Sequence, residues 1–369
     1  MLKVFEGFAG IGSQRMALRN IGIDFEVVGI SEVDRWALLA YDAIHNNGEA
    51  VEEKTKEEML EEFHKRNIAY NFSTGKSEIP KKYEDIKKLY EAHIRSKNFG
   101  DIRAIDVNEL PEIDLFTYSF PCKNISVAGK QDGFEIENKT QSSLVWECER
   151  IIRAKKPKYL LMENVKNIVG KKNIDTFNKW MNILDNIGYK NYYKVLNACE
   201  FNVPQNRERV IMISILDDVD FLFPLGEKTN LSVNDILESY DKSLEIDKKI
   251  MEFKLYPPTT NVKKLYQVGI LNTKGNQLNR RVYSSFGYCP TLNSMNGGNR
   301  QPKILIGDKN NFIVKKLSPL ECWRVMGFTD EDFYKAKNVG LSNSKLYERA
   351  GRGIVVPMLE EIFKNLFKD

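Results

Sequence analysis

The sequence has few of the residues that build metal centres or disulfide frameworks. Its five cysteines occur singly, with no Cys-x-x-Cys pair, and its three histidines all lie in one charged stretch. Because neither spacing supplies a credible set of ligands, we expect no metal cofactor. Unpaired cysteines also fit a reducing cytoplasm, where thiols stay free.

Long hydrophobic runs are missing as well. No apolar stretch is long enough to cross a bilayer, and the opening residues MLKVFEGFAG lead into a strand-like segment without signal-peptide architecture. A chain of 369 residues is long enough for one large domain and a smaller one, each with its own core. We therefore expect a two-domain cytoplasmic protein with no membrane partner.

Acidic residues are scarce in one part of the chain. Between Phe253 and Lys316 there are eleven Lys or Arg and one acid, Asp308, so this basic segment carries +10 while the whole chain carries only +4. The rest of the chain must therefore sum to −6. A basic segment on an otherwise acidic protein indicates a polyanion-binding surface, although a solvated basic face has the same composition.

The first half of the chain alternates short apolar runs with helical patterns. The alternation predicts an α/β fold with a doubly wound, mostly parallel sheet, in which ligands bind beyond the carboxyl ends of the strands. The predicted strands are Leu2–Phe5, Glu26–Ile30, Ile113–Ser119, Tyr159–Met162, Tyr192–Leu196 and Val210–Ile215, and the predicted helices include Ser13–Asn20, Ser142–Ala154 and Ile174–Ile187.

Two stretches interrupt this alternation. Residues 46–98 are rich in Glu and Lys and predict two solvated helices inserted into the fold, to which we assign no chemistry. Residues 226–316 are rich in Gly, Asn and Pro and predict a smaller, loop-rich domain that carries the basic segment. The main domain is then expected over residues 1–225 and 317–369, ending in a helix from Pro357 onward.

A glycine-rich turn follows the first predicted strand. In the run from Gly7 to Gly12 the glycines allow the backbone to approach a ligand closely. Glu32 follows the second strand, where an acidic side chain can accept hydrogen bonds from ribose hydroxyls, and Asp101 is a third candidate for the same cleft. Taken singly, each feature also fits a structural turn with surface acids.

A second set of polar side chains follows the later strands. Cys122 comes after Ile113–Ser119, in a loop where a helix N-terminus would stabilise its thiolate. Glu163, in Glu-Asn-Val, ends the next strand at the same edge, and Arg207 and Arg209 precede another strand. A thiolate, a carboxyl and an arginine at one cleft form a set for covalent catalysis on a polar heterocycle.

Together these residues resemble a series of motifs of the DNA cytosine-5 methyltransferases, in that family's order. The resemblance covers the chain from Val4 to the C-terminus, except residues 46–98 and most of 226–316, and implies an S-adenosylmethionine-dependent, Rossmann-like fold with a target-recognition domain. The matching motifs are FAGIGS, Glu32, Gly100-Asp101-Ile102, FPCKNISVAGKQDGF, ENV, QNRERV, Thr291-Leu292, LSPLECWRVMGF and GRGIVVP.

The resemblance implies a mechanism that the chemistry of cytosine supports independently. Cys122 adds to C6, Glu163 bonds N3 and the exocyclic amine, and Arg209 holds O2 with support from Arg207. C5 then takes the methyl group, and loss of the C5 proton releases the cysteine. Asn164 is grouped with these residues as part of the same strand end. A base in a duplex must first be flipped out.

The resemblance also implies contacts to cofactor and DNA, with double-stranded DNA as the partner of a monomeric enzyme. Phe8 would stack on adenine, Ser126 would lie near phosphate, and Gln131 would fill the gap in the duplex. The cofactor set is Phe8, Ala9, Gly10, Ile11, Gly12, Glu32, Val33, Asp101, Ile102, Pro121, Lys123, Arg352, Gly353 and Ile354. The DNA set is Ser126, Gln131, Arg280, Arg281, Thr291, Leu292, Arg300 and Lys303.

Two positions depart from the family pattern. Lys123 stands where the family usually has Gln. The final motif usually reads Gly-Asn-Ser-Val, whereas this chain has Gly351-Arg352-Gly353-Ile354, with Arg352 in place of Asn. One interpretation is that Arg352 pairs with Glu348 or with the cofactor's own carboxylate, and that Lys123 reaches a DNA phosphate. The other is that the cofactor is carboxy-S-adenosylmethionine, whose extra carboxylate a guanidinium would bind, giving 5-carboxymethylcytosine.

Three other functions stay open at this point. An RNA cytosine-5 methyltransferase of the transfer-RNA type shares most motifs, but the basic insertion with Thr291-Leu292 favours duplex DNA. A catalytically inactive DNA-binding protein is disfavoured by the presence of Cys122, Glu163 and Arg209. A nicotinamide-dependent oxidoreductase is disfavoured because the glycine loop lacks the G-x-G-x-x-G spacing.

Overall fold

The computed structural model describes all residues except 47, 73, 123, 126–132, 135–140, 240, 296, 298 and 369, and of Gln141 it describes only the backbone. The chain forms two compact units. The first comprises Met1–Leu196, Arg209–Phe223 and Phe363–Asp369, and the second comprises Asn197–Glu208 and Pro224–Ile362. Residues 317–362, which the sequence assigns to the catalytic domain, belong to the second compact unit. Compactness does not define function, so the functional domain bounds stay a prediction.

The elements of the described chain follow the predicted alternation closely. The strands are β1 Leu2–Gly7, β2 Phe25–Ser31, β3 Tyr70–Asn71, β4 Lys76–Ser77, β5 Leu115–Tyr118, β6 Tyr159–Val165, β7 Lys190–Asn197, β8 Gln205–Asn206, β9 Glu208–Ile215, β10 Glu245–Ile246, β11 Met251–Phe253, β12 Gln267–Leu271, β13 Arg281–Ser284, β14 Cys289–Pro290, β15 Lys303–Gly307 and β16 Phe312–Lys316. The α-helices are α1 Ser13–Asn20, α2 Arg35–His45, α3 Lys56–Lys65, α4 Tyr83–Arg95, α5 Val145–Lys155, α6 Ile174–Ile187, α7 Pro319–Val325, α8 Asp330–Asn338, α9 Asn343–Arg352 and α10 Val356–Leu366.

The first unit is built on a six-stranded sheet in the order β2-β1-β5-β6-β9-β7. The pairs β1/β2, β1/β5 and β5/β6 are parallel, whereas β6/β9 is antiparallel. The chain extends from β1 to β2 on one side and returns to β5 on the other. The strand order thus reverses between β1 and β5, which is where doubly wound sheets bind their ligands. The predicted α/β class and mostly parallel sheet are confirmed.

The centre of this sheet is buried on both faces. All four residues of β5, Leu-Phe-Thr-Tyr, are buried, as expected for a strand between two layers of helices. Phe116 and Met162 pack in one apolar cluster with Phe177 and Trp180 of α6, and the Trp180 indole donates to the Tyr118 hydroxyl at 3.2 Å. This rigid centre fixes where the loops after β5 and β6 begin.

The insertion over residues 46–98 contains the two predicted helices, α3 and α4. One face of each helix is buried, with Phe63 and Leu89 fully buried, so the helices pack on each other and are solvated on the other face. Between them lies the antiparallel pair β3/β4, which the sequence did not predict. Strands of two residues carry no periodic signal that sequence reasoning can detect.

The second unit contains a separate six-stranded sheet in the order β10-β16-β15-β13-β12-β11. Its strand pairs are antiparallel except β13/β15, and it has its own small core of Val268, Leu271, Val282, Leu305 and Val314. The segment expected to be loop-rich therefore contains short strands joined by long connections. Within the described part of the chain, no helix is long and apolar enough to cross a membrane.

Candidate active site

The glycine-rich turn joins β1 to α1 through left-handed backbone. Gly10 has φ +58° and Gly12 has φ +74°. A Cβ added at Gly12 would lie 2.3 Å from the His45 Nε2 atom, so only glycine fits there. Phe8, also left-handed at φ 57°, is half-buried against the core of the first unit. The predicted neighbours Ala9 and Ile11 are buried within the turn.

Glu32 binds the glycine turn to the segment after β2. Its Oε2 accepts from the Gly10 N–H at 2.8 Å, and its Oε1 accepts from the N–H groups of Val33 and Asp34, both at 2.8 Å. The side chain predicted to face a ribose therefore also orders the two loops beside it.

Asp101 is a buried carboxylate that the structure places after α4. It is 4% exposed and accepts from the backbone and the guanidinium of Arg103. Ile102, predicted to lie at the adenine edge, is 2% exposed and opens a short 3-10 helix. The carboxylate is thus present where it was predicted, with a partner that sequence reasoning did not foresee.

Cys122 differs from every other cysteine of the chain in its exposure. It is partly exposed, whereas Cys148, Cys199, Cys289 and Cys322 are buried. Burial raises the pKa of the Cys148 thiol well above its ordinary value and that of Cys199 to about 11. A thiolate nucleophile must be accessible and ionisable. Cys122 is therefore the cysteine that fits this role.

Three polar side chains hold the backbone around Cys122. Asn164 donates to the Phe120 carbonyl at 3.2 Å, and Asn167 donates to the Ile125 carbonyl at 2.5 Å. The Ser142 hydroxyl donates to the Pro121 carbonyl at 2.6 Å and accepts from the Asn124 N–H at 3.2 Å. We call Asn164, Asn167 and Ser142 the loop clamp.

The predicted contribution of a helix N-terminus to the Cys122 thiolate stays a prediction. Cys122 begins a turn, in which its carbonyl accepts from the Ile125 N–H at 3.0 Å. Lys123, Ser126 and Gln131 lie outside the described residues, so their predicted contacts to cofactor and DNA also stay predictions.

Glu163 and Arg209 form an ion pair across neighbouring strands. Arg209 Nε lies 2.9 Å from Glu163 Oε1, and the two side chains are only 13% and 10% exposed. The pair arises because β6 and β9 are antiparallel, which sets Val165 opposite Arg209 near the carboxyl end of β6. The predicted carboxyl and arginine are thus brought together in the first unit.

Arg207, by contrast, is engaged within the second unit. Its guanidinium donates to the carbonyls of Leu292 at 2.7 Å, Gly351 at 3.2 Å and Gly353 at 2.9 Å, and the residue is 3% exposed. A Cβ at Gly351 would approach the Asn293 carbonyl to 1.8 Å, so the GRGIVVP motif packs directly on the backbone after Thr291-Leu292. Arg207 thus orders the backbone around Leu292 and Gly351, and its predicted support of Arg209 stays a prediction.

Two further predicted residues of the second unit are also engaged in contacts within it. The Arg352 guanidinium pairs with the Glu348 carboxylate, which also contacts Lys345 and Arg349. This is the first of the two interpretations offered for Arg352. Ile354, predicted to contact cofactor, is buried at 4% exposure.

The residues predicted to bind DNA differ in exposure. Thr291 and Arg300 are exposed and Arg280 and Arg281 are half-buried, whereas Leu292 is buried. The assignment of Lys303 needs correction, because its side chain is 1% exposed and its ammonium donates to the Asn299 carbonyl. Burial, with a smaller contribution from neighbouring Lys316, lowers the pKa of Lys303 to about 8. A buried ammonium cannot reach a phosphate from this position.

Sequence reasoning missed Ser142, Asn167 and Arg103. Asn167 follows Glu-Asn-Val by two residues, and this adjacency was the one available signal. Ser142 lies 21 residues from Pro121 along the chain. No spacing rule connects them, because the contact depends on how α5 packs beside β5.

The sheet, its switch point and the cysteine–carboxyl edge define a Rossmann-like methyltransferase. The chain belongs to the family described as C-5 cytosine-specific DNA methylase, whose model matches residues 71–368. Membership makes it a DNA cytosine-5 methyltransferase, with S-adenosylmethionine as the family's cofactor and DNA as its substrate.

Relatives of the chain match over nearly its full length. The Type II methyltransferase M2.ScrFI of Lactococcus lactis subsp. cremoris is 42% identical, over 100% of this chain and 99% of the relative. The Orphan methyltransferase M.SssI of Spiroplasma monobiae is 34% identical, over 99% and 97%. The solved structure of S. pombe Dnmt2 methyltransferase has a TM-score of 0.63 at 16% identity, over 99% and 97%, and supports the fold alone. The predicted family, fold and activity are confirmed.

Proposed function

We propose that this enzyme modifies cytosine in double-stranded DNA through covalent attack by Cys122. The observation that carries the proposal is the hydrogen bond from Asn164 to the Phe120 carbonyl. It joins the strand end that bears Glu163 directly to the loop that bears Cys122. A nucleophile and a base-binding carboxyl are thereby held in a fixed relation, as covalent catalysis on a ring requires.

The residues of the first unit fit S-adenosylmethionine, which supplies an electrophilic methyl group when bound. Left-handed Gly10 and Gly12 allow close backbone approach, and the Glu32 carboxylate beside this turn is the proposed acceptor for ribose hydroxyls. Phe8 offers a ring for adenine, and Asp101 offers an acceptor for the adenine amine. Pro121 belongs to the same proposed set within the first unit, and the cofactor contacts implied for Gly353 and Ile354 stay predictions.

The base is proposed to bind at Glu163 and Arg209. Their ion pair orients the carboxylate, which would bond N3 and the exocyclic amine while Arg209 holds O2. The Cys122 sulfur forms a bond to C6, and the ring electrons shift to C5. C5 then forms a bond to the methyl carbon, whose bond to the cofactor sulfur breaks. Loss of the C5 proton restores the ring and expels the thiolate.

The second unit is proposed to recognise the target through the basic segment. Thr291, Arg280, Arg281 and Arg300 remain as candidates for contact, since none of them is buried. Leu292 would act indirectly, because it is buried and its carbonyl is held by Arg207. We further propose that residues 226–316 act as the target-recognition domain and that the enzyme works as a monomer.

Methyl is the proposed transferred group. The pairing of Arg352 with Glu348 supports this choice, since the guanidinium already has a carboxylate partner within its own helix. Transfer of a carboxymethyl group is the second candidate, motivated by the cations at positions 123 and 352. Mass analysis of nucleosides separates 5-methylcytosine from 5-carboxymethylcytosine when both cofactors compete on one DNA.

The covalent mechanism is tested with Cys122→Ala and DNA carrying 5-fluorocytosine. The wild type should be trapped on this DNA, because C5 fluorine cannot leave as a proton does, and Cys122→Ala should be neither trapped nor active. DNA affinity should stay within about threefold, since a thiolate contributes little to docking. Cys199→Ala is the matched control and should behave as the wild type, because Cys199 is buried. Modification of DNA by Cys122→Ala would contradict the mechanism.

A further inference from the structure

The insertion hairpin, defined as residues 66–78 apart from residue 73, contacts both acidic segments of the proposed cofactor cleft. The Ala69 N–H donates to the Val33 carbonyl at 2.8 Å, directly after Glu32. On the other side, the Arg66 carbonyl accepts from the Asp101 N–H at 2.9 Å. A segment with no chemistry assigned from the sequence therefore forms part of the wall beside these acids.

The contact between the hairpin and the Asp101 segment depends on Gly100. A Cβ at Gly100 would lie 2.2 Å from the Arg66 carbonyl oxygen, and its φ of +71° also favours glycine. The hairpin therefore packs on the backbone itself at this point. Any ligand group that reaches Asp101 meets an environment shaped by the hairpin.

The Asp101 carboxylate is fully occupied in this structure. Oδ1 accepts from the Arg103 N–H at 3.1 Å and from Arg103 Nε at 3.0 Å. Oδ2 accepts from Arg103 Nε at 3.1 Å, Arg103 Nη2 at 2.8 Å and Asn67 Nδ2 at 3.2 Å. Two carboxylate oxygens offer about four acceptor positions, so a further donor must displace one of these groups.

The Arg103 guanidinium is the partner that can move. Its side chain is 41% exposed, whereas that of Asp101 is 4% exposed. Its carbon Cζ also lies 4.1 Å from the ring centroid of Phe72 in the insertion hairpin. A cation over an aromatic face is stabilised there, so the guanidinium has a second binding surface beside the carboxylate.

Resting on the proposed contact between Asp101 and adenine, we propose that Arg103 competes with the adenine amino group for Asp101. The cofactor amine takes the acceptor positions that the guanidinium leaves, and Phe72 retains the displaced guanidinium nearby. Arg103 thereby lowers the affinity for a cofactor that carries the 6-amino group, and so reduces the dependence of affinity on that group. The insertion hairpin is the element that sets this dependence.

The test measures dissociation constants by calorimetry, without DNA, for S-adenosylhomocysteine and for its hypoxanthine analogue, which lacks the amine. Arg103→Met keeps an apolar stem against Phe72 but removes the charge. It should bind S-adenosylhomocysteine about three- to fivefold more tightly than the wild type, the range for an ion pair with one exposed partner. The hypoxanthine analogue should show no gain, because it has no amine to donate.

Lys76→Met is the matched control, since it removes an exposed cation from the same hairpin. It should leave both constants unchanged. Asp101→Ala tests the underlying contact between Asp101 and adenine. It should weaken the binding of S-adenosylhomocysteine and leave the binding of the hypoxanthine analogue unchanged. If Asp101→Ala weakens binding but Arg103→Met does not tighten it, the competition is wrong. If Asp101→Ala changes neither constant, the proposed adenine contact fails and the competition fails with it.

Discussion

At the scale of single residues, the cations of the basic segment differ in burial. Lys303 is buried in β15 and its pKa is lowered by burial to about 8, whereas Arg300, three residues earlier, is exposed. Both carry the same formal charge in the sequence. Their surroundings make the difference: a buried charge destabilises the folded state, whereas an exposed charge can contact a phosphate.

Lys303→Met should stabilise the protein at pH 7. The folded pKa of about 8 lies below the ordinary value of 10.5, because the fold favours the neutral amine. The contribution of Lys303 to folding stability is therefore fully present above pH 10.5 and is lost as the pH falls through 8 and the buried amine becomes charged. The gain at pH 7 should be on the order of 2 kcal/mol. Denaturant unfolding at pH 7 and pH 10 should show the difference from wild type shrinking at high pH. An equal difference at both pH values would contradict the burial argument.

At the scale of elements, the loop clamp fixes the backbone of the Cys122 loop relative to the sheet. Asn164 lies near the end of β6, Asn167 lies in the 3-10 helix that follows it, and Ser142 lies in the 3-10 helix before α5. Each contacts a backbone group within three residues of Cys122. The position of the nucleophile therefore depends on three elements distant from it in the chain.

Ser142→Ala should slow covalent trapping while sparing both binding steps. The substitution leaves the Pro121 carbonyl and the Asn124 N–H without their buried partner, which costs about 1–3 kcal/mol and loosens the loop. We expect trapping on 5-fluorocytosine DNA to slow by about tenfold or more, because a small displacement of a nucleophile is costly. Dissociation constants for S-adenosylhomocysteine and DNA should change by less than about twofold.

The matched control for Ser142→Ala is Ser214→Ala on β9. Ser214 is equally buried, and its hydroxyl has no hydrogen-bond partner among the described residues. This control should trap at the wild-type rate. Equal slowing in both variants would indicate a general loss of stability in place of a positioning role.

At the scale of the whole molecule, charge is separated along the chain. The basic segment carries +10 against −6 elsewhere, so association with DNA should be strongly salt-dependent. If about five of its cations meet phosphates, the logarithm of the binding constant should fall with the logarithm of salt concentration at a slope near −4 to −5.

Neutralising exposed cations should reduce this slope, and neutralising a buried one should not. Arg300→Gln should reduce its magnitude by about 1, and Arg280→Gln with Arg281→Gln by up to about 2, whereas Lys303→Met should leave it unchanged. Titration of a fluorescent duplex at four salt concentrations measures each slope. A slope equal to wild type in the Arg300 and Arg280/Arg281 variants would indicate that the segment is a solvated basic face and does not bind DNA.

The sequence by itself determined the alternation of the main strands and helices in the first half of the chain, the class of sheet and the family. These follow from local patterns, since periodicity marks each element and each motif is contiguous at a strand end. A parallel sheet then brings those ends to one edge, so Glu32, Cys122 and Glu163 were predictable as residues of one edge.

Only the tertiary structure decided which partners these residues have. The clamp on the Cys122 loop, the Arg103 pair on Asp101, the Arg207 contacts and the burial of Lys303 join segments that no spacing rule connects. Such contacts depend on how helices and loops pack over the sheet, and packing is a property of the folded chain. Sequence patterns specify which face of an element is apolar, but not which polar side chain will lie against it.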